Sequence, residues 1–286
     1  MQRVDIIAKD GALIPTVFHE VDNAKKKGIV IICHGFGEHS GGYSAVAETM
    51  WKGGYACAVF DQRGHGTPPK NAKKFRGIIP RYQCFVDDVM SVAGRVREIA
   101  PDVPTALYGH SMGGNIALNT ILQGDAELSE IFRCAVIEVP WLGLYKPATP
   151  FTAFLIRVMN IVAPNHTVST KVNHDEISTE EEKSAGHRDD PLNHSTISMR
   201  MLTGIVKACG YALDNAKNLS VPTFLAYADN DTIVSNEAII EFAKKAGDIV
   251  TIKEYESNHA IHNDKSSEKF FHDVIKFLDE HCTTVS

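Results

Sequence analysis

Ser111 stands in Gly109-His110-Ser111-Met112-Gly113, a G-x-S-x-G run that sets one glycine two positions before the hydroxyl and one two positions after it. A serine hydroxyl attacks an acyl carbon only when a base takes its proton and an acid orients that base. Both residue types follow in chain order. Asp229 and Asp231 lie in Tyr227-Ala228-Asp229-Asn230-Asp231-Thr232-Ile233-Val234, and two histidines lie in Asn258-His259-Ala260-Ile261-His262. Asp231 is the expected acid, because Ile233 and Val234 after it turn back into the core, with Asp229 as its competitor. His259 is the expected base and His262 its alternative. Reading His259 and His262 as a zinc pair lacks the Glu or third ligand that accompanies H-x-x-H metal sites, so no metal is expected.

The oxygen that gains charge during such an attack needs hydrogen-bond donors aimed at it. His34-Gly35-Phe36-Gly37-Glu38-His39 follows an apolar run and offers a Gly-rich loop for that purpose. The expected donors are the backbone N–H groups of Phe36 and of Met112, the residue after the serine.

These residues must be carried by elements that bring them together. Gly28 to Cys33 is a short run rich in β-branched residues, and it reads as a buried strand. Two strands precede it within the first 20 residues. A helix over 43–52, a strand over 55–60, a helix over 83–99 and a strand over 105–108 follow, the last feeding a helix at Ser111. After a strand over 134–139 the alternation stops, and Pro140, Pro147, Pro150, Pro164 and Pro191 punctuate short segments. It resumes with a helix over 197–217, a strand over 223–228, a helix over 236–246, a strand over 250–255 and a helix over 266–281. The expected fold class is therefore α/β, a mostly parallel sheet of eight strands flanked by helices. Residues 1–139 and 196–286 form its one catalytic domain, and 140–195 an inserted helical cap.

Composition excludes several alternatives. A net charge of -6 over 286 residues argues against a nucleic-acid partner, which calls for concentrated basic charge. The one basic triplet, Lys25 to Lys27, reads as a solvated turn. The six cysteines show no metal-ligand or C-x-x-C spacing and read as buried thiols. The first residues enter strand-like sequence without the apolar core of a signal peptide, which makes a cytoplasmic location the expectation. Asn165, Asn193, Asn218 and Asn230 begin N-x-S/T triplets that are read as chance matches.

With these residues in place, the chain resembles the monoacylglycerol lipase and lysophospholipase-like group of α/β hydrolases, of the serine aminopeptidase S33 type. The resemblance is carried by His34-Gly35-Phe36-Gly37-Glu38-His39-Ser40-Gly41, by Asp61-Gln62-Arg63-Gly64-His65-Gly66 and by Gly109-His110-Ser111-Met112-Gly113-Gly114. It extends into the cap at Met159 to Asn165 and Asp190-Pro191-Leu192. It implies an α/β-hydrolase fold, Asp231 and His259 as partners of Ser111, an acyl tunnel beneath the cap and no cofactor. The implied reaction is cleavage of a monoacylglycerol to fatty acid and glycerol. A lysophospholipase, a general or feruloyl-type carboxylesterase and a catalytically silent binding protein are the alternatives. Glu38 and His262 match positions towards the glycerol end. Gly42 and Val234 depart from the pattern, since relatives often carry a basic residue and a cysteine there.

The cap segment from Phe151 to Ala163 is apolar nearly all round a helix. It suits either a lid that shields an acyl chain or touches a membrane surface, or a helix packed on the core. Trp141, Phe154 and Ile156 are accordingly candidate substrate contacts. The expected partner is a small acyl ester, a lipid, with transient membrane-surface contact through the cap.

Overall fold

A computed structural model describes residues 2–19, 27–69, 75–124, 128–170 and 176–282. Its elements run β1 (Gln2–Ile7), β2 (Leu13–His19), β3 (Gly28–Cys33), α1 (Ser44–Lys52), β4 (Tyr55–Phe60), α2 (Gln83–Ile99), β5 (Thr105–His110), α3 (Met112–Gln123), α4 (Leu128–Ile131) and β6 (Cys134–Glu138). They continue with α5 (Pro150–Val162), β7 (Thr167–Ser169), α6 (Glu181–Asp189), β8 (Thr196–Ser198), α7 (Met199–Asn215), β9 (Thr223–Ala228), α8 (Asn236–Ala246), β10 (Val250–Tyr255) and α9 (Ser267–His281).

Eight strands form one sheet in the order β1-β2-β4-β3-β5-β6-β9-β10, while β7 and β8 pair separately. The β1, β2 and β4 pairings are antiparallel, and every neighbour from β4 to β10 is parallel. Strands β3, β4, β5 and β6 are buried at every residue, as central parallel strands covered on both faces must be. Their sequences are correspondingly apolar runs, broken in β5 and β6 only at the ends. Burying one side chain such as Ile29 or Ile31 contributes roughly 1.5–3 kcal/mol. Helices α2, α3, α7 and α8 pack in a row over the sheet, and α1 and α9 pack against each other.

Between β6 and α7 the chain leaves the sheet. Thr149 caps α5 by accepting from the Thr152 N–H at 3.2 Å, with Pro150 at the first helical position. The helix ends at Val162, just before Pro164. Helix α7 starts at Met199 rather than at 197. Thr196–Ser198 pairs with Thr167–Ser169 instead, and the Ser198 hydroxyl accepts from the Met201 N–H at 3.3 Å. Lys25 and Lys26 of the basic triplet lie outside the described residues, while Lys27 pairs with Asp279 at 2.7 Å. All six cysteines are buried and unbridged. Among the described residues no helix is long and apolar enough to cross a membrane.

Candidate active site

Parallel register decides which loops meet. Cys33 lies opposite Gly109, His110 opposite Glu138, and Ala228 opposite Tyr255. The loop after β3, the turn after β5 and the loops after β9 and β10 therefore converge at the carboxyl edge of the sheet.

Ser111 occupies the turn between β5 and α3 with φ 53 and ψ -114. A left-handed conformation of this kind in a non-glycine residue stores on the order of 1–3 kcal/mol and persists only where its surroundings enforce it. A Cβ on Gly109 would stand 2.4 Å from the Gly113 carbonyl oxygen, and one on Gly113 only 2.1 Å from that of Cys33. Glycine at both positions is what lets the turn close. The Ser111 N–H donates to the Glu138 carbonyl at 3.0 Å, and its own carbonyl accepts from Asn115 and Trp141.

The Ser111 Oγ lies 2.9 Å from His259 Nε2, and His259 Nδ1 lies 2.7 Å from Asp231 Oδ2. The other Asp231 oxygen accepts from the N–H groups of Ile233 and Val234 at 2.8 and 3.0 Å, which fixes the carboxylate. Asp229, the competitor, instead accepts the Ser257 N–H at 3.1 Å and ties the two loops together. Burial disfavours charge on His259 and on Asp231 alike, but each faces the other. That attraction prevails, holding the imidazole above its ordinary range and the carboxyl below its own.

Met112 is the first residue of α3, where an N–H has no intrahelical acceptor. The Phe36 N–H has no backbone acceptor among the described residues. Met112 directly follows Ser111 in the chain, and Phe36 lies on the loop that leaves β3, the strand paired with β5. Gly37, with φ +78, presents its carbonyl to the His194 N–H at 2.8 Å, which joins this loop to the segment before β8.

These groups open on a cavity of about 410 Å³. Phe36, Trp141, Ile156, Ile197, Leu202 and Val234 make much of its wall, and Ser111 and His259 border it. Glu38, His110 and His187 are among its polar lining residues. Glu38 accepts from the Gly35 N–H and the Tyr43 hydroxyl, both at 2.7 Å, and lies 3.3 Å from His187. Burial pushes its carboxyl up, but His110 and His187 outweigh this and hold it well below the usual range. A second cavity of about 420 Å³ shares Glu38, Ile177 and His187 with the first and continues to Tyr43 and His262.

The expected substrate contacts divide. Glu38, Trp141 and Ile156 line the first cavity; Phe154 and His262 do not. Thr152 and Ile156, one helical turn apart, line this cavity, whereas Phe154 sits about 200° round from Thr152 and is 59% exposed. The His262 ring is held by Glu138 at 3.0 Å and stacks on Tyr43, and it borders the second cavity instead of the first. His187 and His194 also line the wall, and no motif or period marks them in the irregular segment. For Glu138 a signal was within reach, a carboxylate ending an otherwise apolar buried run.

Sheet order, a serine on the sharp turn after β5, and a hydrogen-bonded histidine and aspartate on the turns after β10 and β9 define an α/β hydrolase. The chain belongs to the hydrolase family described as serine aminopeptidase S33, whose model matches residues 24–266. A monoacylglycerol lipase of Mycolicibacterium smegmatis is 24% identical over 263 residues, covering 89% of each chain. An abhydrolase domain-containing protein of Dictyostelium discoideum is 28% identical over 88% of this chain, which spans only 26% of that relative's length. A soluble variant of monoglyceride lipase from Saccharomyces cerevisiae, solved in complex with a substrate analog, superposes with a TM-score of 0.83 at 24% identity, covering 100% of this chain and 95% of that one.

Proposed function

We propose that the chain hydrolyses carboxylic esters through Ser111, His259 and Asp231, and that its substrates are monoacylglycerols, cleaved to fatty acid and glycerol. One observation carries this reading: the unbroken chain of short hydrogen bonds from Asp231 through His259 to Ser111 opens on a largely apolar cavity of ligand size. The similarity to monoacylglycerol lipases supports the choice of ester.

In this mechanism His259 Nε2 takes the Ser111 proton as Oγ attacks the ester carbonyl. Asp231 accepts the Nδ1–H and stabilises the imidazolium. The N–H groups of Phe36 and Met112 hold the oxyanion, each donor lowering the barrier by about 3 kcal/mol. The imidazolium returns its proton to the departing alcohol, leaving the acyl group on Ser111. Water activated by the same imidazole then releases the acid.

The apolar cavity takes the acyl chain. Glu38 and the second cavity, with His262, take the alcohol side, where hydroxyl groups find a carboxylate and imidazoles. Residues 140–195 act as a lid. Its helix α5 has no buried residue, and Phe151, Phe154, Ile161 and Val162 are 59% exposed or more, which suits contact with a lipid surface.

The test is steady-state hydrolysis of monoacylglycerols with eight- to eighteen-carbon chains beside p-nitrophenyl esters of two to sixteen carbons. Ser111→Ala serves as the blank and should lose at least about 10³-fold in rate. Preference for the glycerol esters is the expected result. Activity confined to short or aromatic esters would keep the serine chemistry and remove the monoacylglycerol assignment.

A further inference from the structure

Glu138 ends β6 with no exposed surface and lies outside the lining of the acyl cavity. A buried carboxylate is tolerated only when well paired. The partners of Glu138 come from both halves of the proposed catalytic apparatus. Its main-chain carbonyl accepts the Ser111 N–H at 3.0 Å. Its Oε1 accepts the His262 N–H at 2.9 Å, and the His262 ring nitrogen Nδ1 lies 3.0 Å from both carboxylate oxygens. The Tyr108 hydroxyl, from the strand that leads into Ser111, donates to Oε2.

The network continues towards the base. His262 stacks on Tyr43 at 5.2 Å and meets His110 edge-on at 4.9 Å. The His110 ring lies 5.1 Å from that of His259. His262 also follows His259 by three residues, so holding its N–H holds the short 3₁₀ turn Ile261–Asn263 that leaves the base.

We infer that Glu138 is a positioning residue: one side chain and its own carbonyl join the elbow that carries Ser111 to the loop that carries His259, and so fix the separation of nucleophile and base. The inference rests on the proposed ester hydrolysis. It does not place Glu138 on the substrate. An aliphatic residue would satisfy β6 as a core strand but would leave the His262 N–H and ring without their acceptor.

Glu138→Gln keeps the side-chain shape while replacing one acceptor oxygen by a donor. With the preferred ester, kcat should fall roughly 10- to 100-fold, because small displacements of reacting groups carry penalties of that size. KM for a p-nitrophenyl ester, which has no glycerol for His262 to meet, should stay within about twofold, because Glu138 is off the wall of the acyl cavity. A role confined to stability would lower the thermal midpoint and leave kcat per folded molecule unchanged, and that result would overturn the inference. So would a parallel change in KM. If the Gln variant does not fold, Tyr108→Phe, which deletes one hydroxyl, is measured in its place; a lower kcat at constant KM supports the inference and an unchanged kcat refutes it. Ser111→Ala is run alongside. Turnover surviving there would remove the parent reading and this inference together, whereas a dead Ser111→Ala beside a fully active Glu138→Gln would remove only the inference.

Discussion

His259 carries opposing influences: burial favours the neutral ring, and the Asp231 carboxylate at 2.7 Å favours the cation and prevails. Only the neutral ring can take the Ser111 proton. Activity should therefore fall as pH drops through a pKa raised above the ordinary value of about 6.5, and a kcat/KM profile with its acid limb centred at or below that value would contradict this. Asp231→Asn should lower kcat by about 10⁴-fold and move the limb to lower pH, since the opposing charge is gone. At this scale the sequence was informative where chemistry imposes a pattern. Ser111 is framed by glycines that the turn cannot do without, and Asp231 and His259 follow strand ends in the required order. Phe154 lies in an apolar run that does not show which side of its helix meets the cavity, and its place on the helix turns it away from the acyl wall. Glu138 stood in plain sight, but its partners are far away in sequence and only the sheet register unites them.

Elements were legible in proportion to their burial. Strands β3 and β4 are uninterrupted apolar runs, and β5 and β6 depart from one only at their ends, so pattern and structure agree. The β7–β8 ribbon is three residues a side and has no period to read. At Gly37 the left-handed backbone costs an L side chain about 1–2 kcal/mol, and a Cβ there would sit 2.0 Å from the His194 carbonyl oxygen. Gly37→Ala should thus lower both the thermal midpoint and kcat/KM by pushing the segment before β8 away from the Phe36 loop. An Ala variant with wild-type melting and turnover would show that this contact is dispensable. On α5, Ile156→Ala should raise KM for long-chain esters roughly 10-fold with less effect on short ones, as lost apolar contact in a pocket does. Phe154→Ala should leave KM for soluble short-chain esters unchanged. Equal effects of the two substitutions would mean that the helix presents a different face to the cavity.

The whole molecule combines a net charge of -6 with an apolar helix facing outward, so any attraction to a lipid surface must come from burial of side chains rather than from charge. At low salt the protein should sediment with phosphatidylcholine vesicles more readily than with anionic ones, and replacing Phe151, Phe154 and Ile161 by serine should abolish sedimentation. Stronger binding to anionic vesicles would point to a basic surface instead. The central claim is that ester hydrolysis runs through one serine at the carboxyl edge of the sheet. Titrating the protein with a fluorophosphonate while following monoacylglycerol hydrolysis, then locating the adduct by peptide mass spectrometry, tests it most directly. Activity is expected to reach zero at one label per chain, with the label on Ser111; full activity in fully labelled protein, or a label on another residue accompanying the loss, would contradict that claim.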